Sequence, residues 1–201
     1  MLDSKIRPLW DRVMRPVGRG LVRTKVSPDA ITFAGVALQG WAAYQIVEGG
    51  LVAAGLISIG AALADVLDGA VAKARGITSN FGAVLDSVTD RISDALLFLP
   101  VAWLYGVAPD KPEHDEPWLA AAAMVALVGS FLVPYVRSKA ESFGYDCKVG
   151  IAERAERVLL VIAGLLFDIL LYVVPLIAVL SVITFVQRML HVRRQAKGDT
   201  G

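Results

Sequence analysis

At 201 residues, with 56% hydrophobic content and a mean hydropathy of +0.59, the chain is too apolar for an ordinary soluble domain. A single cysteine, Cys147, excludes an intrachain disulfide and a thiol cluster for zinc, and the two histidines, His114 and His191, lie far apart in sequence. The formal charge of +1 conceals a strong asymmetry in where the cations sit, and no nucleic-acid partner is expected.

Residues 1–27 carry Lys5, Arg7, Arg12, Arg15, Arg19, Arg23 and Lys25, with Leu2, Ile6, Leu9, Trp10, Val13 and Val17 recurring at helical spacing. No continuous apolar stretch marks a cleavable signal peptide. The pattern predicts an amphipathic helix on the membrane surface that ends at Pro16. Ser27-Pro28-Asp29 then supplies a capping hydroxyl, a first-turn proline and an acid at the positive helix end.

Six hydrophobic stretches follow, and a helical crossing takes about 20 residues. They run from Ala30 to Val47, Leu51 to Arg75, Phe81 to Val107, Trp118 to Phe143, Ile151 to Phe167 and Leu170 to Val192. The second is rich in small residues (Gly55, Ser58, Gly60, Ala61, Ala62, Ala64), which permit close helix packing in lipid. The fold class expected is an all-α integral membrane protein, six transmembrane helices with an N-terminal amphipathic juxtamembrane helix. Its parts are an arm at 1–27, a membrane domain at 28–193 and a cytoplasmic tail at 194–201. Of the 20 Lys and Arg residues, only Lys111 falls in a loop on the side opposite the N-terminus. That bias predicts a multi-pass protein of the cell (plasma) membrane with both termini in the cytoplasm.

Asp65 and Asp68 lie three apart and Asp86 and Asp90 four apart, so each pair shares one helix face. Four unpaired carboxylates beside lipid are costly, whereas divalent cations held between two helices would pair them. Magnesium suits all-oxygen ligands and recruits substrate phosphate oxygens. Gly69 and Gly82 remove side chains where a ligand would approach, Ser79 and Asn80 open a helix whose N–H groups can hold an anion, and Lys73 and Arg75 add positive charge. Together they describe a diphosphate site at the cytoplasmic surface. Asp94, one turn deeper, reads as a structural hydrogen-bonding residue.

Asp65, Asp68, Gly69, Ala72, Gly82, Asp86 and Asp90 resemble, in register, the signature of the CDP-alcohol phosphotransferase family: DxxDGxxAR, eight residues, then GxxxDxxxD. Lys73 departs from it, standing where the family usually has arginine, which keeps the charge without the bidentate fork. The resemblance implies that Asp65, Asp68, Asp86 and Asp90 bind two metal ions, usually Mg2+ with Mn2+ possible, and that Asp90 is also the catalytic base for the acceptor hydroxyl. It places the CDP-diacylglycerol donor at Gly69, Lys73 and Ser79, with Asp29, Ala30, Ile31 and Thr32 as a second nucleotide-side element. It also implies a homodimer.

A second basic group is Arg137, Lys139, Arg154, Arg157 and Arg188. Arg154 and Arg157 occupy a first helical turn, where the macrodipole disfavours cations unless an anion, or Glu153 and Glu156, offsets the cost. A phosphorylated alcohol is therefore the expected acceptor. The stretches RSKAE, IAERAER and SVITFVQR resemble the branch of the family whose acceptor is inositol 1-phosphate (1D-myo-inositol 3-phosphate), which implies acceptor phosphate on Arg137, Arg154 and Arg188. That branch makes phosphatidylinositol phosphate and CMP; the runner-up branch uses glycerol 3-phosphate. From another class, a divalent-cation transporter would also place acids in membrane helices, but no polar set continues across the chain.

Overall fold

The structure is a computed structural model that describes residues 27–76, 79–108, 110–111 and 115–198. The expected surface helix before Ser27 lies outside the described residues. Among these, the chain is entirely helical: α1 (Pro28–Val47), α2 (Leu51–Arg75), α3 (Asn80–Gly106), α4 (Pro117–Ser142), α5 (Arg154–Leu166) and α6 (Leu170–Gly198).

The helix ends follow local chemistry. The Ser27 side chain accepts from the Ala30 N–H at 3.2 Å, and proline occupies the first turn of α1. Two boundaries differ from the sequence reading by more than two residues. The fifth helix begins at Arg154 rather than Ile151, because Glu153 and Glu156 close a capping box, the Glu153 N–H donating to Glu156 Oε2 at 3.1 Å. The expected polar tail from 194 is the continuation of α6 to Gly198, since His191 to Lys197 contain no helix breaker. Between α5 and α6, Asp168 takes a φ of 53°, a left-handed conformation that aspartate tolerates in a tight turn.

Four helices, α1, α2, α4 and α6, are long and apolar enough to cross a bilayer. α3 has 27 residues but carries Asp86, Asp90, Arg91 and Asp94 between its N-terminus and its middle turn. α5 has 13 residues and so spans about 20 Å. The outer surface is apolar, with Phe33, Trp41, Leu56, Leu63, Phe131 and Tyr172 exposed. This is a multi-pass membrane protein.

The principal pairings join α1 to α2, α2 to α5, α5 to α6, α6 to α4, α4 to α3 and α3 back to α1. The six helices thus close a ring. Lipid tails are as apolar as leucine, so close fit rather than water exclusion holds such helices together. Accordingly α2 turns Ala54, Gly55, Ser58, Ala61 and Ala64 inward, and α4 and α6 meet where a Cβ on Gly129 would lie 2.4 Å from Ser181 Cβ. The apolar core, including Leu51, Phe98, Val101, Leu104, Leu119, Leu165 and Ile177, fills the end of the ring where α1 turns into α2, α3 into α4 and α5 into α6. The opposite end is polar.

Candidate active site

At the polar end, Gly76 closes α2 with a φ of 66°, a conformation costly for other residues, and the Ser79 side chain caps α3 by accepting from the Gly82 N–H at 2.9 Å. The close succession of α2 and α3 holds their acidic segments at one depth. One carboxylate oxygen each from Asp65, Asp86 and Asp90 lie within 4.8 Å of one another. Asp68, expected beside them, is buried on the flank and accepts a hydrogen bond from the Thr32 hydroxyl of α1. Asp90 Oδ1 is buried without a hydrogen-bond partner. Converging oxygens with one buried and unsatisfied fit a hard divalent cation.

Arg154 enters this cluster from α5. Its Nη1 lies 2.9 Å from Asp65 Oδ2 and 3.0 Å from Asp90 Oδ1, and its Nε lies 3.5 Å from Asp94 Oδ1. Three aspartates and the capping glutamates therefore already offset the first-turn cations of α5, so the macrodipole alone gives no argument for a bound anion there. Asp94 is buried and also faces Arg157, whose Nη2 is 3.5 Å away. That agrees with the structural role read for it.

The case for an anion comes instead from a cavity. A space of about 190 Å³ adjoins Asp90 and Asp94 and is lined by Arg91, Arg137, Arg154, Arg157 and Arg188. Among the described residues, five buried side-chain polar atoms lack a hydrogen-bond partner, and four of them belong to the lining of this cavity: Asp90 Oδ1, Ser130 Oγ, Arg154 Nε and Arg157 Nε. Asp90 Oδ1 and Arg154 Nε keep ion-pair contacts at 3.0 and 3.5 Å, which leaves Ser130 Oγ and Arg157 Nε alone, a state that is rare for buried polar groups. Arg188 is held by two backbone carbonyls, donating from Nε to Val149 at 2.8 Å and from Nη1 to Val133 at 2.6 Å. Arg137 sits at the rim, paired with Glu141 at 2.9 Å.

The loop that supplies the Val149 carbonyl is itself docked. Gln195 of α6 donates to the Asp146 carbonyl at 2.6 Å and accepts from its N–H at 3.0 Å. Gly150, at a φ of 131°, lies where a Cβ would come 2.5 Å from Thr184 Cγ2. Cys147, in the same loop, is fully buried, and burial pushes its thiol pKa up.

On the donor side, Asp29 to Thr32 form the first turn of α1, with Asp29 and Ala30 exposed. Gly69 faces open space, and Lys73 lies exposed one turn further along α2. A second, largely apolar cavity of about 580 Å³ runs from Thr32, Asp65 and Arg154 inward between α1, α2, α3 and α5 to Gln39 and Ser58. The site as read from the sequence lacked Ser130, a lone hydroxyl in an apolar run with no signal of its own. Arg157 was signalled by its spacing from Arg154 but given no role.

Residues 25–189 match the family model described as CDP-alcohol phosphatidyltransferase. The chain is 35% identical to archaetidylinositol phosphate synthase of Pyrococcus horikoshii over 193 residues, covering 96% of this chain and 97% of the relative. Among solved structures it resembles phosphatidylinositol phosphate synthase of Mycobacterium tuberculosis with CDP-DAG bound, at a TM-score of 0.79 and 35% identity, covering 90% of this chain and 94% of the other. The same enzyme in complex with manganese and citrate matches at a TM-score of 0.76 and 35% identity over 89% and 88% of the two chains.

Proposed function

The chain belongs to the CDP-alcohol phosphatidyltransferase family, and we propose that it transfers the phosphatidyl group of CDP-diacylglycerol to inositol 1-phosphate, giving phosphatidylinositol phosphate and CMP. The observation that carries the acceptor is the arginine-lined cavity beside Asp90, where Ser130 Oγ and Arg157 Nε are buried without a partner. The Pyrococcus and Mycobacterium relatives are named for different lipids, but both names contain inositol phosphate. That supports the acceptor independently of the lipid.

Asp65, Asp86 and Asp90, with Asp68 at their flank, would hold two magnesium ions. When bound, the ions supply charge neutralisation at the transferring phosphate and the leaving CMP. Asp90 takes the proton of the acceptor hydroxyl; the hydroxyl oxygen bonds to the β-phosphorus as the phosphorus–oxygen bond to CMP breaks. Arg154 and Arg188 orient the acceptor's own phosphate, with Arg137 at the rim and Arg157 and Ser130 completing the cavity wall. Gly69 leaves room for the donor's diphosphate near Lys73, with Ser79 and Asp29 to Thr32 on the nucleotide side.

The proposal includes six membrane crossings, with Asp90 and Asp94 of α3 turned into the ring toward α5, which completes the wall. It also includes a homodimer in the plasma membrane with the polar end in the cytoplasm. A cation transporter fits poorly, because apolar side chains pack the far end of the ring. The test is CMP release by purified protein with Mg2+, CDP-diacylglycerol and each acceptor in turn. Release with inositol 1-phosphate is expected, with Asp90→Asn reducing kcat by about 10²–10⁴-fold while the protein stays folded by circular dichroism. Release only with glycerol 3-phosphate would replace the acceptor, and none with any alcohol would overturn the reaction.

A further inference from the structure

Arg154, one of the arginines assigned to the acceptor's phosphate, also reaches the carboxylates, a contact that the transferase reading leaves unexplained. One guanidinium nitrogen touches Asp65 and Asp90, two of the three carboxylates that converge on a cation, at 2.9 and 3.0 Å. The same side chain lines the acceptor cavity, where its Nε has no hydrogen-bond partner. It is 28% exposed, against 4% for Arg157, which is packed against Asp94 and the Ala152 carbonyl. Arg157 is a fixture; Arg154 has room to move.

A guanidinium and a divalent ion cannot share these carboxylates without strong repulsion at contact distance. From this geometry we infer that Arg154 is an internal counter-cation which the metal displaces, and that the displaced guanidinium turns into the cavity to meet the acceptor's phosphate. The inference rests on the divalent-metal site proposed above. Arg154 is then a positioning residue with two alternative anionic partners, the Asp65–Asp90 pair and a phosphate. Each ligand removes an obstacle for the other: metal frees the guanidinium for phosphate, and phosphate holds it away from the carboxylates. Linkage makes the two effects equal in size. An enzyme built this way assembles its metal centre most completely when the phosphorylated acceptor is present.

The test measures Mn2+ binding to the purified full-length protein by the electron paramagnetic resonance of free Mn2+, without and with saturating inositol 1-phosphate, free inositol serving as control. In the wild type, the phosphate compound should tighten Mn2+ by about tenfold, in the usual range for coupled sites, and inositol should not. Arg154→Gln should bind Mn2+ more tightly than wild type without phosphate and should lose the response to it. Lys139→Gln, which removes an exposed cation outside the cavity lining, should leave phosphate-free Mn2+ binding and the phosphate response at the wild-type values. Undiminished phosphate response in Arg154→Gln, or Mn2+ affinity equal to wild type, overturns the inference. Should that variant be recovered unfolded, Arg154→Lys, lacking the planar fork, must show a smaller coupling, and wild-type coupling there overturns it equally. Absence of Mn2+ binding in the wild type overturns the metal site itself, a distinct result.

Discussion

At Ser130 the proposed contact with the acceptor is set against stability. Its hydroxyl is buried on α4 without a partner, at the wall of the arginine cavity. A buried unpaired hydroxyl costs about 1–3 kcal/mol. Ser130→Ala should therefore raise the melting temperature by a few degrees, while raising the KM for the phosphorylated acceptor several-fold and leaving that for CDP-diacylglycerol unchanged. Differential scanning fluorimetry and CMP-release kinetics on the same preparation check both halves. A fall in melting temperature with unchanged KM would mean the hydroxyl only packs. The pairing of Asp86 with Asp90, by contrast, was legible from sequence because a spacing of four declares a shared face, whereas Asp68, three along from Asp65, turns to Thr32 instead. Arg154 beside Asp65 was not legible, since the contact joins residues 89 apart and only the ring brings α5 against α2.

At the scale of elements, the loop between α4 and α5 works through what docks it. Val149 gives its carbonyl to Arg188, and Gln195 clips the loop at Asp146 from the last turns of α6. The Gln195→Ala variant should free the amides of residues 145–150 to exchange faster in hydrogen-exchange mass spectrometry. It should also raise the acceptor KM about threefold to tenfold, as a neutral hydrogen bond worth about 1 kcal/mol is lost and Arg188 loosens. Faster exchange with no kinetic change would separate the loop from the cavity. Helix existence and most helix ends were readable from hydropathy and caps. The start of α5 was not, because the apolar Ile151 reads as helix until the reciprocal Glu153–Glu156 cap is weighed.

Over the whole molecule, the two ends of the ring have opposite characters, and cation distribution in the sequence leads to the expectation that they lie on opposite sides of a bilayer. Six crossings with a cytoplasmic polar end predict that a protease-cleavable tag after Gly201 survives protease added to intact spheroplasts and is removed in inverted vesicles. The reverse pattern would invert the topology. What the sequence left closed was the cyclic order of the helices. Hydropathy gives each helix an apolar surface but does not say which small-residue stripe fits which partner, such as Gly129 against Ser181.

The packed apolar end of the ring has a further meaning for the cell. With the converging carboxylates at one end of the ring and side chains filling the other, the proposed reaction completes every new lipid headgroup on the same side of the bilayer. Each turnover leaves one leaflet with a new anionic headgroup and gives the opposite leaflet none. Population of the second leaflet thus becomes a separate transport problem, imposed by the geometry of synthesis.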